Sequence, residues 1–288
     1  MQLKERDLPT PDESTTTALI DALIEELERL PAQPSIAMRV VWIADDPASS
    51  AKDLAAVIAA DPSLTARVLK LANSAYYGLS GRVANVGFAV TVIGFPTVRA
   101  MAAATASGLF DDGDRVAPEG FWEHAVAVAT ACSMLAGRVG ARPADAFSLG
   151  LLHDLGSALL FRSDPERFDG LVTRAKAERV PLSLLEKESF GIAHDEAAAR
   201  VFAAWRFPED FVVAVGEHHG EVDAGANPFA RLLCASESIA ARLGGSPWWE
   251  LTRHRDEGLA AMGLSVLDAT QLAKAVKDEA AQLLLAFS

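Results

Sequence analysis

Histidine is scarce in this sequence, and most of its histidines are arranged in a pattern that could form a metal site. The chain contains six histidines in 288 residues, and five of them form one array that also includes an adjacent aspartate. Imidazole is the commonest metal ligand in proteins, and a carboxylate beside it completes a typical donor set for a transition metal. The candidate metal ligands are therefore His124, His153, Asp154, His194, His218 and His219.

These side chains must come from several helices if they are to meet at one point. The apolar pattern after Pro143 predicts a single helix that carries both His153 and Asp154, and consecutive residues of a helix point about 100° apart. The two side chains of such a pair would not both reach one ion. They suit a site built from several helices, in which the carboxylate bridges two ions. Nitrogen-rich ligands favour a divalent transition metal such as Fe, Mn, Zn or Ni over calcium. Two such ions could polarise a phosphate and generate hydroxide for its hydrolysis.

Two other interpretations of the array stay open from the residues alone. A single buried histidine is more often a hydrogen-bonded polar residue between helices than a ligand. The array could also be the remnant of a lost active site. Clustering in one part of the chain favours metal binding, whereas the sixth histidine, His254, lies in a charged stretch that is typical of a surface.

Composition narrows the class of protein. Half of the residues are hydrophobic, alanine recurs throughout, and the formal net charge is −13 from 26 basic and 39 acidic residues. An acidic surface disfavours nucleic acid and anionic membranes as partners. The two cysteines, Cys132 and Cys234, lie in apolar helical patterns and form no disulfide framework. The N-terminus has no apolar signal region, and no apolar run of about twenty residues occurs, so we expect a soluble cytoplasmic protein.

The hydrophobic pattern predicts an all-α protein with two lobes. Apolar residues recur at helical spacing over most of the chain, and no segment has strand periodicity. The stretch LFDDGDRVAPEG, residues 109–120, interrupts this pattern with turn-forming residues. We therefore expect a flexible arm over residues 1–14, an N-terminal helical lobe over 15–110, and a second helical lobe with a C-terminal helix over 111–288.

Capping signals predict where several helices begin. Leucines at helical spacing predict a first helix within residues 19–30. Asp61-Pro62 and Asn227-Pro228 each combine a good N-cap residue with a proline at the first helical position. The last segment, residues 266–287, alternates charged and apolar faces and is predicted to be an amphipathic terminal helix.

Several longer stretches resemble the HDOD domain of bacterial signalling proteins. In the N-terminal lobe these are LPAQPSIAMRVVWIADDP, LAAVIAADPSLTARVLKLANSAYYG and VGFAVTVIGFPTVRAM, and in the second lobe LGLLHDLGSALL and FGIAHDEAAARVFAAWRFPEDFVVAVGEHH. The resemblance covers about residues 20–245. It implies a helical regulatory or scaffolding module that is related to the HD phosphohydrolases, including the HD-GYP phosphodiesterases of cyclic di-GMP.

The resemblance also assigns the candidate ligands. His124 matches the first histidine of the HD superfamily, and His153-Asp154 match its HD doublet. The later histidines His194, His218 and His219 match the remaining imidazole positions. A glutamate, Glu237, stands at the late aspartate position and could still act as a ligand.

Two substrate-handling features of the phosphodiesterases are missing. Where those enzymes have a lysine in the run HDxGK, this sequence has Ser157, so a counter-charge for a transferred phosphate is absent. The HD-GYP loop has lost its tyrosine and two glycines here, although Asp223 and Pro228 remain. Hydrolysis of cyclic di-GMP by the HD-GYP mechanism is therefore poorly supported.

The leading hypothesis is a non-catalytic signal-transduction scaffold that docks a regulatory protein partner, for example in the groove between its lobes. The first alternative is a divergent metal-dependent phosphohydrolase that uses the histidine array. The second is a nucleotide sensor that binds its ligand in the same pocket without cleaving it. Asn73, Ser74 and Tyr76 lie near a predicted helix end, where polar side chains commonly form hydrogen bonds with the backbone. We therefore expect these residues to have a structural role rather than to bind a ligand.

Overall fold

The structure is a computed structural model and describes residues 35–79, 81–110, 115–220, 225–243 and 255–284. Within these ranges the chain is all helical and contains no strand, so the predicted fold class is confirmed. The predicted arm and first helix lie outside the described residues. Asp223 and His254 also lie outside them.

The described residues between 35 and 110 form five α-helices. They are α1 Ile36–Asp45, α2 Ala51–Ile58, α3 Pro62–Ala72, α4 Val86–Ile93 and α5 Phe95–Ala106. A 3-10 turn over Ala75–Tyr77 separates α3 from α4 and ends at Gly78, whose φ of 67° is left-handed. No single described helix is long and apolar enough to cross a membrane, although α4 and α5, bent by 107° at their junction, meet the length and composition requirement as a pair.

The rest of the described chain adds ten α-helices. They are α6 Phe121–Leu135, α7 Pro143–Leu152, α8 Leu155–Ser163, α9 Pro165–Glu178, α10 Leu182–Phe190, α11 His194–Ala204, α12 Glu209–Glu217, α13 Pro228–Ala240, α14 Arg255–Ala261 and α15 Val266–Leu284. Short 3-10 turns follow α6 and α13. The predicted division into two lobes at residue 110 stays a prediction, because one continuous hydrophobic core includes residues from both sides of it.

Both predicted capping pairs are confirmed by side-chain hydrogen bonds. The Asp61 carboxylate accepts from the amide of Leu64 at 3.0 Å, and Pro62 begins α3. The Asn227 side chain accepts from the amide of Phe229 at 2.8 Å at the start of α13. These bonds satisfy amides that have no partner within the helix.

The Asn73 side chain serves the backbone, as expected for a polar residue at a helix end. Its amide group donates to the carbonyl of Leu69 at 3.0 Å and to that of Val83 at 2.7 Å, and its oxygen accepts from the amide of Val83 at 2.9 Å. The Tyr76 hydroxyl lies 3.0 Å from that of Ser133 on α6. These contacts tie the end of α3 to the neighbouring loop and helix.

The single helix predicted across His153 and Asp154 is instead two helices, α7 and α8, with the doublet between them. The His153 Nδ1 atom bonds the carbonyl of Gly150 at 2.7 Å. In an uninterrupted helix that carbonyl would accept from the amide four residues later, which is Asp154. Asp154 has a ψ of 17°, so the helix ends here and the two side chains no longer follow helical spacing.

Close backbone packing holds this break against α11. A Cβ atom placed on Gly156 would lie 1.9 Å from the carbonyl oxygen of His194, a distance that no real contact reaches. Gly150 shows the same constraint against α6, because a Cβ there would lie 2.7 Å from the Cα of Ala129. These two glycines therefore bring α7 and α8 close to the helices that carry His124 and His194.

We predict that Gly156→Ala destabilises the protein by about 1–3 kcal/mol, because the added methyl group forces α8 away from α11. Gly170→Ala is the matched control, since its Cβ would meet nothing within 4 Å. That substitution should stabilise α9 by about 0.5–1 kcal/mol through helix propensity. Urea denaturation measures both, and equal free energies of unfolding for the two variants would contradict the packing argument.

Candidate metal centre

The structure brings all six candidate ligands to one place in the interior. His124 lies on α6, and the doublet lies at the break between α7 and α8. His194 begins α11, while His218 and His219 follow the end of α12. The expectation that a site of this kind needs several helices is met, and the role of these residues as ligands stays a prediction.

The first half-site contains two imidazoles and two carboxylates. The Nε2 atom of His124 lies 3.0 Å from Oε1 of Glu237 and 3.2 Å from Oδ2 of Asp154. The Nε2 atom of His153 lies 2.6 Å from the same Glu237 oxygen and 3.4 Å from the same Asp154 oxygen. The longer side chain of Glu237 therefore reaches the position where the superfamily has an aspartate.

The second half-site contains three imidazoles and one carboxylate. The Nε2 atoms of His194 and His218 lie 3.6 Å and 3.5 Å from Oδ1 of Asp154. The Nε2 atom of His219 lies 2.7 Å from that of His194. One atom from each of these four residues falls within a sphere small enough to hold a metal ion.

Asp154 belongs to both half-sites and presents a different oxygen to each. Its Oδ2 atom faces His124 and His153, whereas its Oδ1 atom faces His194 and His218. A carboxylate in this position would be able to serve both half-sites, as the sequence analysis expected of Asp154. The arrangement has the form of a two-ion site in which one charge is shared.

Backbone carbonyls set the orientation of two imidazoles. The Nδ1 atom of His218 bonds the carbonyl of Val215 at 2.6 Å, just as Nδ1 of His153 bonds that of Gly150. Since a carbonyl can only accept, each Nδ1 carries a proton and donates it, so Nε2 is the ring atom directed at the centre of the site. Both rings also end a helix, because each carbonyl lies in the last turn of α7 or α12.

Glu186 is a functional candidate that the sequence analysis missed. It is fully buried on α10, and its Oε2 atom lies 2.5 Å from Nδ1 of His194 and accepts from the His194 amide at 2.9 Å. Carboxylates in this position fix the ring of a ligating histidine and raise its basicity. The sequence does indicate that Glu186 is buried, because this residue falls on the apolar face of α10 with Leu182, Leu185 and Phe190.

The residues present fit a divalent transition metal. Oδ1 of Asp154 and Nε2 of His218 are buried and form no hydrogen bond with any described residue. Orphaned buried polar atoms are rare in folded proteins and call for a ligand. Imidazole-rich half-sites with one or two carboxylates suit Zn, Fe, Mn or Ni, because calcium prefers oxygen ligands alone.

Electrostatics within the cluster keep the carboxylates charged. Burial raises the pKa of Asp154 and of Glu237, but the surrounding histidines outweigh it and hold both values well below their usual range. Burial lowers the pKa of His124 and of His153, and here the carboxylates prevail and raise the values to about 9 and about 10. For His219, burial and the neighbouring histidines lower the pKa together, so this ring stays neutral.

Ser157 occupies the position of the lysine in the phosphodiesterase motif, and it is buried. Its hydroxyl forms no hydrogen bond with a described residue. Among the described residues, no lysine or arginine is ion-paired with Asp154 or Glu237. In the described residues, the cluster therefore has metal-type donors, a buried serine at the lysine position and no lysine or arginine ion-paired with its two carboxylates.

The sequence model of the HDOD domain matches residues 30–221, which is more than half of the chain. The chain belongs to the HDOD family. This confirms the resemblance inferred from the sequence, and the matched residues include the HD doublet and all five histidines of the cluster.

Solved structures agree with this membership. A "Putative phosphohydrolase" from Shewanella amazonensis SB2B is 27% identical, with a TM-score of 0.70 over 93% of this chain and 97% of the other. An HDOD domain protein with unknown function from Geobacter sulfurreducens is 24% identical, with a TM-score of 0.65 over 94% of this chain and 98% of that one. At that identity the second likeness concerns the fold alone.

A curated relative shows how such a chain can be part of a larger protein. An "Uncharacterized protein" from Treponema pallidum (strain Nichols) is 26% identical over 210 residues, which is 72% of this chain. The match spans only 41% of the length of that relative. This chain therefore corresponds to less than half of that relative.

We predict that Glu186→Gln weakens binding of Zn²⁺ or Mn²⁺ by about 10-fold to 100-fold, because His194 loses its charged orienting partner. Competition with a chromophoric chelator measures the affinity. Glu188→Gln is the matched control, since Glu188 lies exposed on the same helix. Equal affinities for the two variants would show that Glu186 does not position the ring.

We also predict a pH dependence for the metal-free protein. The folded-state pKa of His124 is raised to about 9 from 6.5, so its contribution is complete below pH 6.5 and is lost as the pH rises through 9. In the presence of a chelator, the destabilisation caused by His124→Gln should therefore be larger near pH 6 than above pH 9. Urea denaturation at both pH values measures it, and a difference that is constant with pH would contradict the ion pair with Glu237.

Proposed function

We propose that this HDOD protein is a non-catalytic signal-transduction scaffold whose second lobe holds a divalent transition metal as a structural centre. The proposal rests on two features of the cluster taken together, its donor atoms and the residue at the lysine position. Buried metal-type donors surround Asp154, while the phosphate-binding cation of the phosphodiesterases is replaced by the buried Ser157. A metal held there ties α6, α8, α11, α12 and α13 together and stabilises the fold.

A regulatory protein is the proposed partner of the scaffold. The acidic balance of 39 acidic to 26 basic residues supports a protein partner over a nucleic acid or an anionic membrane, which would both require a basic surface. No described residue selects a particular pathway. Membership in the HDOD family supports a role in signalling.

A second candidate function is metal-dependent phosphohydrolysis. It is favoured by the two adjacent half-sites that share Asp154, since paired ions can bind both the attacking and the leaving oxygen of a phosphate. The similarity to the Shewanella amazonensis "Putative phosphohydrolase" points in the same direction. Binding of a nucleotide without hydrolysis is a related alternative, which calorimetry against a small nucleotide panel would detect.

Elemental analysis combined with an activity screen separates these functions. We predict stoichiometric metal in the purified protein and no turnover of phosphomonoesters or cyclic dinucleotides. Asp154→Ala should remove the metal, and His153→Ala should lower the melting temperature of the metal-loaded protein, because ligand binding to the folded state is lost. Turnover that Asp154→Ala abolishes would overturn the scaffold proposal in favour of the hydrolase.

A further inference from the structure

Away from the metal cluster, the described residues enclose a groove with a volume of about 770 Å³. It is lined by the C-terminal end of α1, the junction of α4 and α5, the start of α7, the loop between α11 and α12, and Phe229 on α13. Volumes of this size suit a small ligand or a short peptide segment. None of the candidate metal ligands lines it.

One side of the groove is fixed by a buried arginine. Arg99 on α5 donates to the carbonyls of Trp205 and Arg206 at 3.1 Å and 2.8 Å, and its guanidinium lies 4.0 Å from the ring centre of Phe207. Arg206 has a φ of 57°, which is unfavourable for a residue other than glycine. The amides of Arg206 and Phe207 donate to the carbonyls of Ala203 and Phe202, and together with the bond from Arg99 they hold this conformation and fix one wall of the groove.

The groove combines an apolar wall with acidic edges. Phe207, Phe211 and Phe229 supply aromatic surface, and the rings of Phe211 and Phe229 pack edge to face at 4.8 Å. The acidic side chains around them are Asp45, Asp46, Asp145 and Asp210.

Both cations in the lining are already paired. Arg142 forms two hydrogen bonds with Asp145, at 2.6 Å and 2.9 Å, and Arg99 pairs with Asp45 at 2.5 Å. Asp46 and Asp210 form no ion pair with a described residue. The groove therefore carries an excess of negative charge.

At the end of α1, Asp45 pairs with Arg99, whereas Asp46 accepts a hydrogen bond from the amide of Ala48 at 2.9 Å and has no ion-pair partner among the described residues. Asp45 is its last residue and Asp46 its C-cap, and its last turn contains no basic residue. The C-terminal end of a helix carries partial negative charge and favours cations, so carboxylates there are unfavourable. Violations of such local rules are expected at functional sites. Asp210, by contrast, lies in the first turn of α12, where a carboxylate is favourable.

We propose that this groove binds a short segment of a partner protein in which an apolar side chain is flanked by lysine or arginine. The proposal rests on the docking role proposed above and names its surface and chemistry. The apolar side chain would contact the phenylalanine wall, and the cations would lie beside Asp46 and Asp210. A nucleotide is disfavoured because its phosphates would meet carboxylates.

Other occupants from the chain itself match the groove poorly. Residues 1–34 contain eight acidic and three basic residues, so this segment has the same sign of charge as the groove. A second copy of the protein, with a net charge of −13, is disfavoured for the same reason. A basic segment of another protein is the complementary choice.

Fluorescence anisotropy of the full chain with a labelled peptide tests the proposal. The probe is a synthetic peptide of about twelve residues with lysines around a central Leu-Phe-Leu, and a peptide with glutamates in place of the lysines is its control. At low salt, Asp46→Asn combined with Asp210→Asn should weaken binding by about threefold to tenfold. Ala141→Arg, which fills the groove and adds a positive charge, should weaken it at least as much.

The control protein carries the same change of charge elsewhere. Glu166→Gln combined with Asp278→Asn alters two exposed acidic residues outside the groove and should change the affinity by less than about twofold. Thermal melting confirms that each variant is folded. An equal loss in both double variants, no effect of Ala141→Arg, or no binding of the lysine peptide would overturn the proposal.

The groove and the scaffold proposal fail in different ways. Phosphatase turnover would remove the scaffold proposal and would leave a positive peptide result standing. Absence of both turnover and peptide binding would remove the groove alone.

Discussion

The buried carboxylate of Asp154 is the constraint around which the helices from α6 to α13 are organised. A lone carboxylate in the interior is costly, and this one is kept charged by imidazoles on both of its sides. Its two oxygens point to different sets of histidines, so helices that are distant in sequence must pack where each set can reach it. The cluster is thus part of the packed interior as well as a candidate metal site.

The backbone is adapted to this charge in specific ways. Gly150 and Gly156 allow helices to approach at distances that a side chain would prevent, and the bonds from His153 and His218 to carbonyls end α7 and α12 where their rings must turn inward. Glu186 supplies a second buried carboxylate that holds His194 from behind. The residue types, the positions of the helix ends and the charges all favour the same arrangement of the cluster. Such agreement is expected where a site is specified by more than one level of structure.

Much of the fold followed from local signals. The helical periodicity and the N-cap pairs at Asp61 and Asn227 act within a few residues, so they are legible in the sequence. The residues that form the histidine cluster were also predictable, because histidine is rare in this sequence and its positions match a family pattern. The break at His153 was not predictable, since the surrounding residues favour a continuous helix. The interruption accompanies two contacts that the sequence does not show, the bond from His153 to the Gly150 carbonyl and the close approach of Gly156 to α11. The role of Glu186 was hidden for a related reason, because a glutamate in a helix is usually exposed and only its place on the apolar face marked it.

The helix-ending bonds of His153 and His218 also bear on how such chains evolve. Because each ring closes a helix and lies beside the buried carboxylate of Asp154, natural selection for a stable fold is sufficient to retain it without any reaction. Residues that contact only a substrate have no such structural role and are not retained for the sake of the fold. In a protein of this fold, an intact set of histidines is therefore weak evidence of turnover, and cations that contact a substrate are the better guide to it.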